Sequence, residues 1–177
     1  EKGSARTGLL IQPGPTVAEA DVGDFDRGQP FAVSAWVFNT RRNQQGAVLA
    51  RMDTGNGYRG WDVWLQADRV GMHLISNWTT QDGLKVVTRN PLPVNKWQHV
   101  CISYDGSGKA AGVQVFVNGE PQPLTVEADG LKGPTRTEVP FKVGQRHRAD
   151  RVQGVAVQDV RVYGRKLAAA EAEGLAK

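Results

Sequence analysis

The sequence predicts an all-β protein: a two-sheet antiparallel β-sandwich that ends in one short helix. Turn-forming residues recur about every 8 to 15 residues, and the apolar runs between them are rich in Val, Ile, Phe and Trp. Only the alanine-rich segment 167–173, which is followed by Gly174, has helical character. The 177 residues, 40% of them hydrophobic, suit one domain with its own core. We expect that domain to span residues 1–177 and to be excised from a larger protein, because the chain begins at Glu1 and not at Met.

Nine segments are predicted strands, because apolar residues alternate or run continuously within them and turn residues bound them. They are Phe31–Phe38, Ala47–Arg51, Trp61–Gln66, Val70–Ile75, Leu84–Thr88, Gln98–Tyr104, Val113–Asn118, Phe141–Val143 and Val155–Tyr163. The first is apolar on both faces apart from Ser34, which places it inside a sheet. In the last, the valines change parity, which predicts a bulge near Gln158. The pair Asn118-Gly119 predicts a hairpin.

Composition and charge exclude several classes of function. The net charge is +4, and the cations are scattered apart from a group at Arg146-His-Arg148 and Arg151. A nucleic-acid-binding protein shows a denser basic stripe, so no nucleic acid partner is expected. No apolar stretch approaches the roughly 18 residues of a membrane span, so no membrane insertion is expected. The single Cys101 lies in a strand-like run and is interpreted as a small buried hydrophobe.

Five sequence blocks resemble those of laminin-G-like, concanavalin A-like jelly-roll domains, and they occur in the family's order over about residues 8–176. The blocks are Phe31-Ala-Val-Ser-Ala-Trp-Val37, Gly46-Ala-Val-Leu-Ala-Arg51, Asn95-Lys-Trp-Gln-His-Val100 with Tyr104-Asp-Gly106, Val115-Phe-Val-Asn-Gly119, and Gln158-Asp-Val-Arg-Val-Tyr163 with Arg165-Lys-Leu167. The resemblance implies a jelly roll in which Trp36, Trp97 and His99 occupy core positions. The family is functionally broad, so the fold alone leaves function open.

The segment Gly57-Tyr-Arg-Gly-Trp-Asp62 is similar to laminin-G-like modules of large exported bacterial proteins that also carry c-type cytochrome domains. This narrower resemblance implies an extracytoplasmic location in a bacterium: periplasmic, on the cell surface or secreted. The chain has no Cys-x-x-Cys-His motif, so it is not expected to bind a c-type haem itself.

The pattern of acidic residues argues against an enzyme. Glycoside hydrolases need two carboxylates across the scissile bond, yet no glutamate occurs between Glu19 and Glu120. Asp62 and Asp68 are the only acids within residues 61–70, and their spacing does not place two carboxylates together on one strand face. There is no Gly-x-Ser-x-Gly motif, and the three histidines lie far apart in sequence. We expect no catalysis.

The resemblance also implies a structural Ca²⁺ that joins the N-terminal segment to the closing strand. Asp24 or Asp26 would supply a carboxylate from the N-terminal side, and Gln158 stands where the family has an acid. An amide offers an oxygen ligand but lacks the charge that attracts Ca²⁺. No other cofactor is expected.

The candidate binding surface lies where three of the five tryptophans fall within 18 residues. Aromatic rings stack against sugar rings, and polar side chains beside them bind the hydroxyls. The candidate ligand-binding residues are Tyr58, Arg59, Asp62, Trp64, Gln66, His73, Asn77, Trp78 and Arg89. Trp61 and Trp64 have opposite parity, so one belongs to the core; Trp64 shares its face with Asp62 and Gln66 and is the one expected on the ligand side. Core packing of the whole cluster is the alternative.

These observations favour a non-catalytic, lectin-like carbohydrate-binding module that targets attached domains to a polysaccharide or oligosaccharide. An anionic sugar, uronic or sulfated, is compatible with the arginine content. The alternative is a structural or protein-interaction domain that packs against neighbouring domains of the same polypeptide.

Overall fold

The computed structural model describes residues 8–11 and 17–177, which form thirteen strands and one α-helix. In chain order the elements are β1 (Leu9–Ile11), β2 (Ala18–Glu19), β3 (Phe31–Asn39), β4 (Gln45–Asp53), β5 (Arg59–Gln66), β6 (Arg69–Asn77), β7 (Asp82–Thr88), β8 (Trp97–Tyr104), β9 (Val113–Val117), β10 (Glu120–Pro121), β11 (Leu124–Asp129), β12 (Phe141–Val143), β13 (Val155–Tyr163) and α1 (Ala169–Leu175). None of the described helices has the length and apolar character needed to cross a membrane.

The strands form two sheets, and every pairing between these strands is antiparallel. One sheet has six strands in the order β1-β13-β3-β8-β9-β10, and the other has seven in the order β11-β7-β6-β5-β4-β12-β2. Strand β3 lies inside the six-stranded sheet, between β13 and β8, as its two apolar faces predict. The predicted sandwich with one short C-terminal helix is confirmed.

The hydrophobic core fills the space between the two sheets, because alternate residues of each strand point inward. The six-stranded sheet contributes Val33, Ile102 and Val115, and the seven-stranded sheet contributes Val63 and Leu74, all of them buried. This packing sets which side chains of the seven-stranded sheet point outward, toward the candidate site.

Two tryptophans expected in the core lie elsewhere. The inward residues of β3 are odd-numbered, so Trp36 points to the outer face of the six-stranded sheet, where its ring meets that of His99 at 5.4 Å. Trp97 packs there against Phe38, also at 5.4 Å between ring centroids. Both tryptophans are half-buried, whereas His99 is buried. The core assignment of Trp36 and Trp97 was therefore wrong.

The closing strand β13 contains the predicted bulge. Its register against β3 shifts between Gln158 and Arg161, and Asp159 has a φ of 52°. The extra residue turns Val160 and Val162 back toward the core after Val157.

The outer face of the seven-stranded sheet carries a row of residues in direct register. Ala50 on β4 pairs with Asp62 on β5, which pairs with His73 on β6, which pairs with Lys85 on β7. Directly opposed side chains in a sheet lie about 5 Å apart. The antiparallel register therefore brings three polar side chains from distant parts of the sequence together on one face.

Replacing Gly60 by alanine is expected to destabilise the fold strongly. Gly60 has a φ of +125°, and a Cβ there would lie 2.0 Å from the carbonyl oxygen of Arg51. Strain and forced displacement together should lower the free energy of unfolding by about 2 to 4 kcal/mol, measured by urea titration. Gly28→Ala is the control, because its Cβ would meet no atom within 4 Å. Equal stability of the two variants would contradict this account of β5.

Candidate functional site

An open pocket of about 220 Å³ lies on the outer face of the seven-stranded sheet. Its lining consists of Tyr58, His73, Ile75, Trp78, Lys85 and Arg146. The aromatic residues and Lys85 are half-exposed, whereas His73, Ile75 and Arg146 are buried and form the floor. The pocket therefore combines aromatic walls with a floor that bears nitrogen donors.

Beneath the floor, Asp62 and Arg146 form a buried ion pair. The Asp62 side chain is 0% exposed, and its Oδ2 accepts a hydrogen bond from Nε of Arg146 at 2.6 Å. Nη1 of Arg146 also donates to Oδ2 of Asp150 at 2.8 Å. Burial by itself raises the pKa of Asp62, but the positive charge of the Arg146 guanidinium and its hydrogen bond outweigh burial and hold this pKa at about 2. The carboxylate is therefore ionised across the physiological range.

His73 takes a defined orientation from the same pair. Nη2 of Arg146 lies 2.9 Å from Nδ1 of His73, and a guanidinium can only donate, so Nδ1 accepts and the ring proton lies on Nε2. Nδ1 also lies 3.0 Å from Oδ1 of Asp62, but Oδ1 accepts no hydrogen bond with proper geometry from any described residue. The contact with Arg146 thus fixes the orientation of the His73 ring and leaves Nε2 as its N–H donor.

The guanidinium of Arg146 also covers two aromatic rings. Its Cζ lies 4.2 Å from the ring centroid of Trp64 and 5.3 Å from that of Tyr58. Such cation–π contacts strengthen when they are shielded from water. Arg146 reaches this position from the connection between β12 and β13, so the pair with Asp62 anchors that connection to the sheet.

The two aromatic walls are fixed to each other through the backbone. Tyr58 has a φ of 60°, a left-handed conformation that is costly for a bulky residue. Gly57, just before it, accepts a hydrogen bond through its carbonyl oxygen from the backbone N–H of Trp78 at 2.7 Å. The Asn77 side chain caps the 3-10 turn that begins at Trp78, accepting from the N–H of Thr79 at 3.0 Å. The walls are therefore preformed.

Three of the nine residues predicted to bind a ligand line the pocket: Tyr58, His73 and Trp78. Two more, Asp62 and Trp64, lie on the same face but beneath it, Trp64 being only 8% exposed under Arg146. Trp61 is in the core, as its parity relative to Trp64 requires; its ring N–H donates to the carbonyl oxygen of Gly23.

The other four predicted residues lie outside the pocket lining. Asn77 forms the cap just described, and Nε of Arg59 donates to the carbonyl oxygen of Ser76 at 3.2 Å. Gln66 bonds Glu127 at an exposed end of β5, and Arg89 is exposed after β7. Asn77 and Arg59 support the pocket through the backbone around it.

Sequence reasoning missed three lining residues, Ile75, Lys85 and Arg146. The concentration of charge at 146–148 was a signal for Arg146, but no local pattern places it above β5. Lys85 could have been found from strand register, since it lies directly opposite His73.

Two of the three residues proposed for calcium, Asp24 and Asp26, have other contacts. Asp24 lies within 4.0 Å of Arg51 and Arg136, whose positive charges oppose a cation. Asp26 accepts hydrogen bonds from the N–H groups of Thr135 and Arg27, and the first of these lowers its pKa most. Gln158 lies at the bulge of β13, and its buried Oε1 accepts no hydrogen bond from any described residue. Within residues 8–11 and 17–177, no three His, Cys, Asp or Glu residues cluster as metal ligands would. These contacts do not favour Ca²⁺, and a calcium site stays a prediction.

A second cleft, of about 480 Å³, opens between β12 and β13 at the edge of the sandwich. Its lining is mainly aliphatic, including Val143, Val157, Val160 and Val162. It also reaches Val17, next to residues 12–16, which lie outside the described residues. We therefore base the candidate site on the aromatic and polar pocket.

The pocket suits binding better than acid–base chemistry. Its lining contains no carboxyl group; of the two carboxylates bound to Arg146, Asp62 is fully buried and ionised, and Asp150 is held in an ion pair. A general acid needs an accessible proton and a pKa near the working pH. The nitrogen donors and aromatic faces of the lining are instead the groups with which proteins hold polar, ring-shaped ligands.

Comparisons with known proteins agree with this architecture. A family model described as the concanavalin A-like lectin/glucanases superfamily matches residues 14–173. Among solved structures, the Ruminococcus gnavus IT-sialidase CBM40 bound to alpha2,3 sialyllactose is similar, with a TM-score of 0.73, 18% identity, and coverage of 97% of this chain and 96% of that one. No curated protein sequence matches the chain.

Two toxin domains are also similar in structure. The botulinum neurotoxin serotype G binding domain has a TM-score of 0.68 and 16% identity, over 95% of this chain and 41% of that one. The binding domain of Paraclostridial Mosquitocidal Protein 1 has a TM-score of 0.66 and 15% identity, over 91% and 40%. The chain spans about two-fifths of each toxin domain. At these identities the likeness shows the fold alone.

Asp62→Asn is expected to make stability less dependent on acid pH. The folded pKa of about 2 lies below the ordinary 3.8, so ionised Asp62 stabilises the fold above pH 4, and this contribution is lost as the pH falls toward 2. The variant should be less stable than the parent by about 3 kcal/mol at pH 7, and the gap should shrink by about 1.5 kcal/mol by pH 2.5. Urea unfolding across this pH range measures both, with exposed Asp21→Asn as control. A gap independent of pH would contradict the assigned role of the carboxylate.

Proposed function

The chain belongs to the concanavalin A-like lectin/glucanases superfamily, and from its pocket we propose that it is a carbohydrate-binding module without catalytic activity. The module holds a sugar residue of an oligosaccharide or polysaccharide and so brings attached domains to that glycan. We place it outside the cytoplasm of a bacterium, where such glycans are found.

The observation that carries this proposal is the pair of half-exposed rings, Tyr58 and Trp78, that line one pocket together with buried nitrogen donors. The C–H face of a sugar ring packs against an aromatic ring, while its hydroxyls accept hydrogen bonds from nearby N–H groups. His73 and Arg146 supply such groups at the floor. Because the rings are held in place by the 57–78 backbone hydrogen bond, little ordering is needed on binding.

The size of the pocket favours binding of a single sugar residue. At about 220 Å³ it is smaller than typical sites for drug-sized ligands, which measure about 300 to 1,000 Å³. One sugar residue, at a chain end or branch, fits that scale better than a long run of sugars. The solved relatives with binding functions, including a CBM40 bound to alpha2,3 sialyllactose, support a binding role on this fold.

A second candidate function is contact with a neighbouring domain. Aromatic residues on the outer face of the six-stranded sheet favour it. Trp36, Phe38 and Trp97 are half-exposed on its outer face, away from the pocket. Crosslinking of a longer natural polypeptide that contains this chain tests the idea: Lys96, next to Trp97, should crosslink to another domain, and crosslinks confined to other surfaces would exclude this one.

Trp78→Ala is expected to weaken glycan binding by about tenfold or more, since a central aromatic contact is worth at least 1.4 kcal/mol. A glycan array identifies the ligand, and titration calorimetry measures the loss. Tyr58→Ala should act in the same direction.

Trp36→Ala is the matched control, because Trp36 is also a half-buried tryptophan but lies on the other sheet. It should leave glycan affinity unchanged. Failure of the parent protein to bind any sugar at millimolar concentration would overturn the proposed function, as would equal losses in Trp36→Ala and Trp78→Ala.

A further inference from the structure

The cations at the pocket differ in how their charges are balanced. Arg146 is paired with Asp62 and Asp150, so two carboxylates already neutralise its charge. Lys85 forms no ion pair with any carboxylate of the described residues, and its recorded partner is the ring of Trp78, 4.3 Å from Nζ. Lys85 thus brings an uncompensated positive charge to the pocket.

The position of Lys85 suits contact with a ligand. It lines the pocket, it is half-exposed, and the strand register places it directly opposite His73. His73 presents its Nε2 proton, because its Nδ1 accepts from Arg146. An ammonium and an imidazole N–H donor therefore lie side by side, with no carboxyl group in the lining.

We infer that the bound sugar carries an acid group, a carboxylate or a sulfate ester, and that Lys85 rather than Arg146 is the residue that selects it. This inference rests on the proposed function. Oxygen anions form charge-assisted hydrogen bonds with ammonium groups, and these are stronger than bonds between neutral groups. Arg146 acts as a positioning residue that orients His73 and supports Tyr58.

The test uses pairs of oligosaccharides that differ only in the acid group. One arm compares uronic acid sugars with the corresponding neutral sugars and sialylated lactose with lactose; the other compares sulfated with unsulfated sugars. The acidic member of at least one arm should bind about tenfold or more tightly, and the arm that shows the preference identifies the acid. The preference should fall as sodium chloride is raised from about 0.05 to 0.5 M, because salt screens an exposed charge.

Lys85→Gln should abolish the preference, so that the acidic and neutral members bind with affinities within about twofold of each other, because the charge-assisted bond to the acid group is lost. Lys85→Arg should retain the preference. Lys96→Gln, the same change on an exposed lysine before β8 of the other sheet, is the control and should leave the preference intact.

The outcomes separate this inference from the function on which it rests. Equal binding of acidic and neutral members would overturn the acid requirement and leave carbohydrate binding standing. A preference that survives in Lys85→Gln would overturn the role of Lys85. Absence of binding to every sugar would overturn the proposed function itself.

Discussion

The buried ion pair between Asp62 and Arg146 is the interaction on which the outer face of the seven-stranded sheet depends. A carboxylate that is fully buried on a sheet strand is costly unless a charged partner and hydrogen bonds compensate it. Arg146 meets this requirement from a connection more than 80 residues further along the chain. In doing so it covers Trp64, contacts Tyr58 and determines which ring nitrogen of His73 carries the proton. One electrostatic requirement therefore organises the floor and one wall of the pocket.

This arrangement separates two tasks that cations can perform. A guanidinium with five donors in a plane can satisfy several buried acceptors at once, which suits Arg146 to its structural position. The ammonium of Lys85 lies on a flexible stem against an indole ring and keeps its charge available. The family shows the sandwich fold, whereas the ligand class depends on these few side chains, in keeping with the general independence of fold and function.

The sandwich could be predicted from the sequence because period-two alternation and turn chemistry are local signals. All nine predicted strands exist, although most extend one or two residues further in the structure. The edge strands β1, β2, β10 and β11 were missed: the first three have only two or three residues, too few to show a period-two pattern, and β11 is largely exposed. Trp36 was misplaced because the family resemblance assigned it to the core, and β3, which is apolar on both faces, offers no parity signal that would correct this assignment.

The site was less predictable, because its members meet only through tertiary structure. Tyr58, His73 and Trp78 could be proposed from aromatic and polar clustering along β5 and β6. Arg146 depends on the path of a long connection, which no local pattern encodes. Trp64 lies on the expected outer face of the sheet, yet Arg146 covers it. Parity predicts the side of a sheet on which a residue lies, and does not predict what packs over it.

The backbone hydrogen bond between Gly57 and Trp78 has a kinetic consequence. Because Tyr58 and Trp78 are already in position, binding requires no conformational change. A glycan should therefore associate in a single kinetic phase, at a rate set by collision and orientation. Differences in affinity among glycans would then arise mainly from how long each complex lasts. A module of this kind releases a single glycan quickly, and lasting attachment to a surface would require several copies engaged at once.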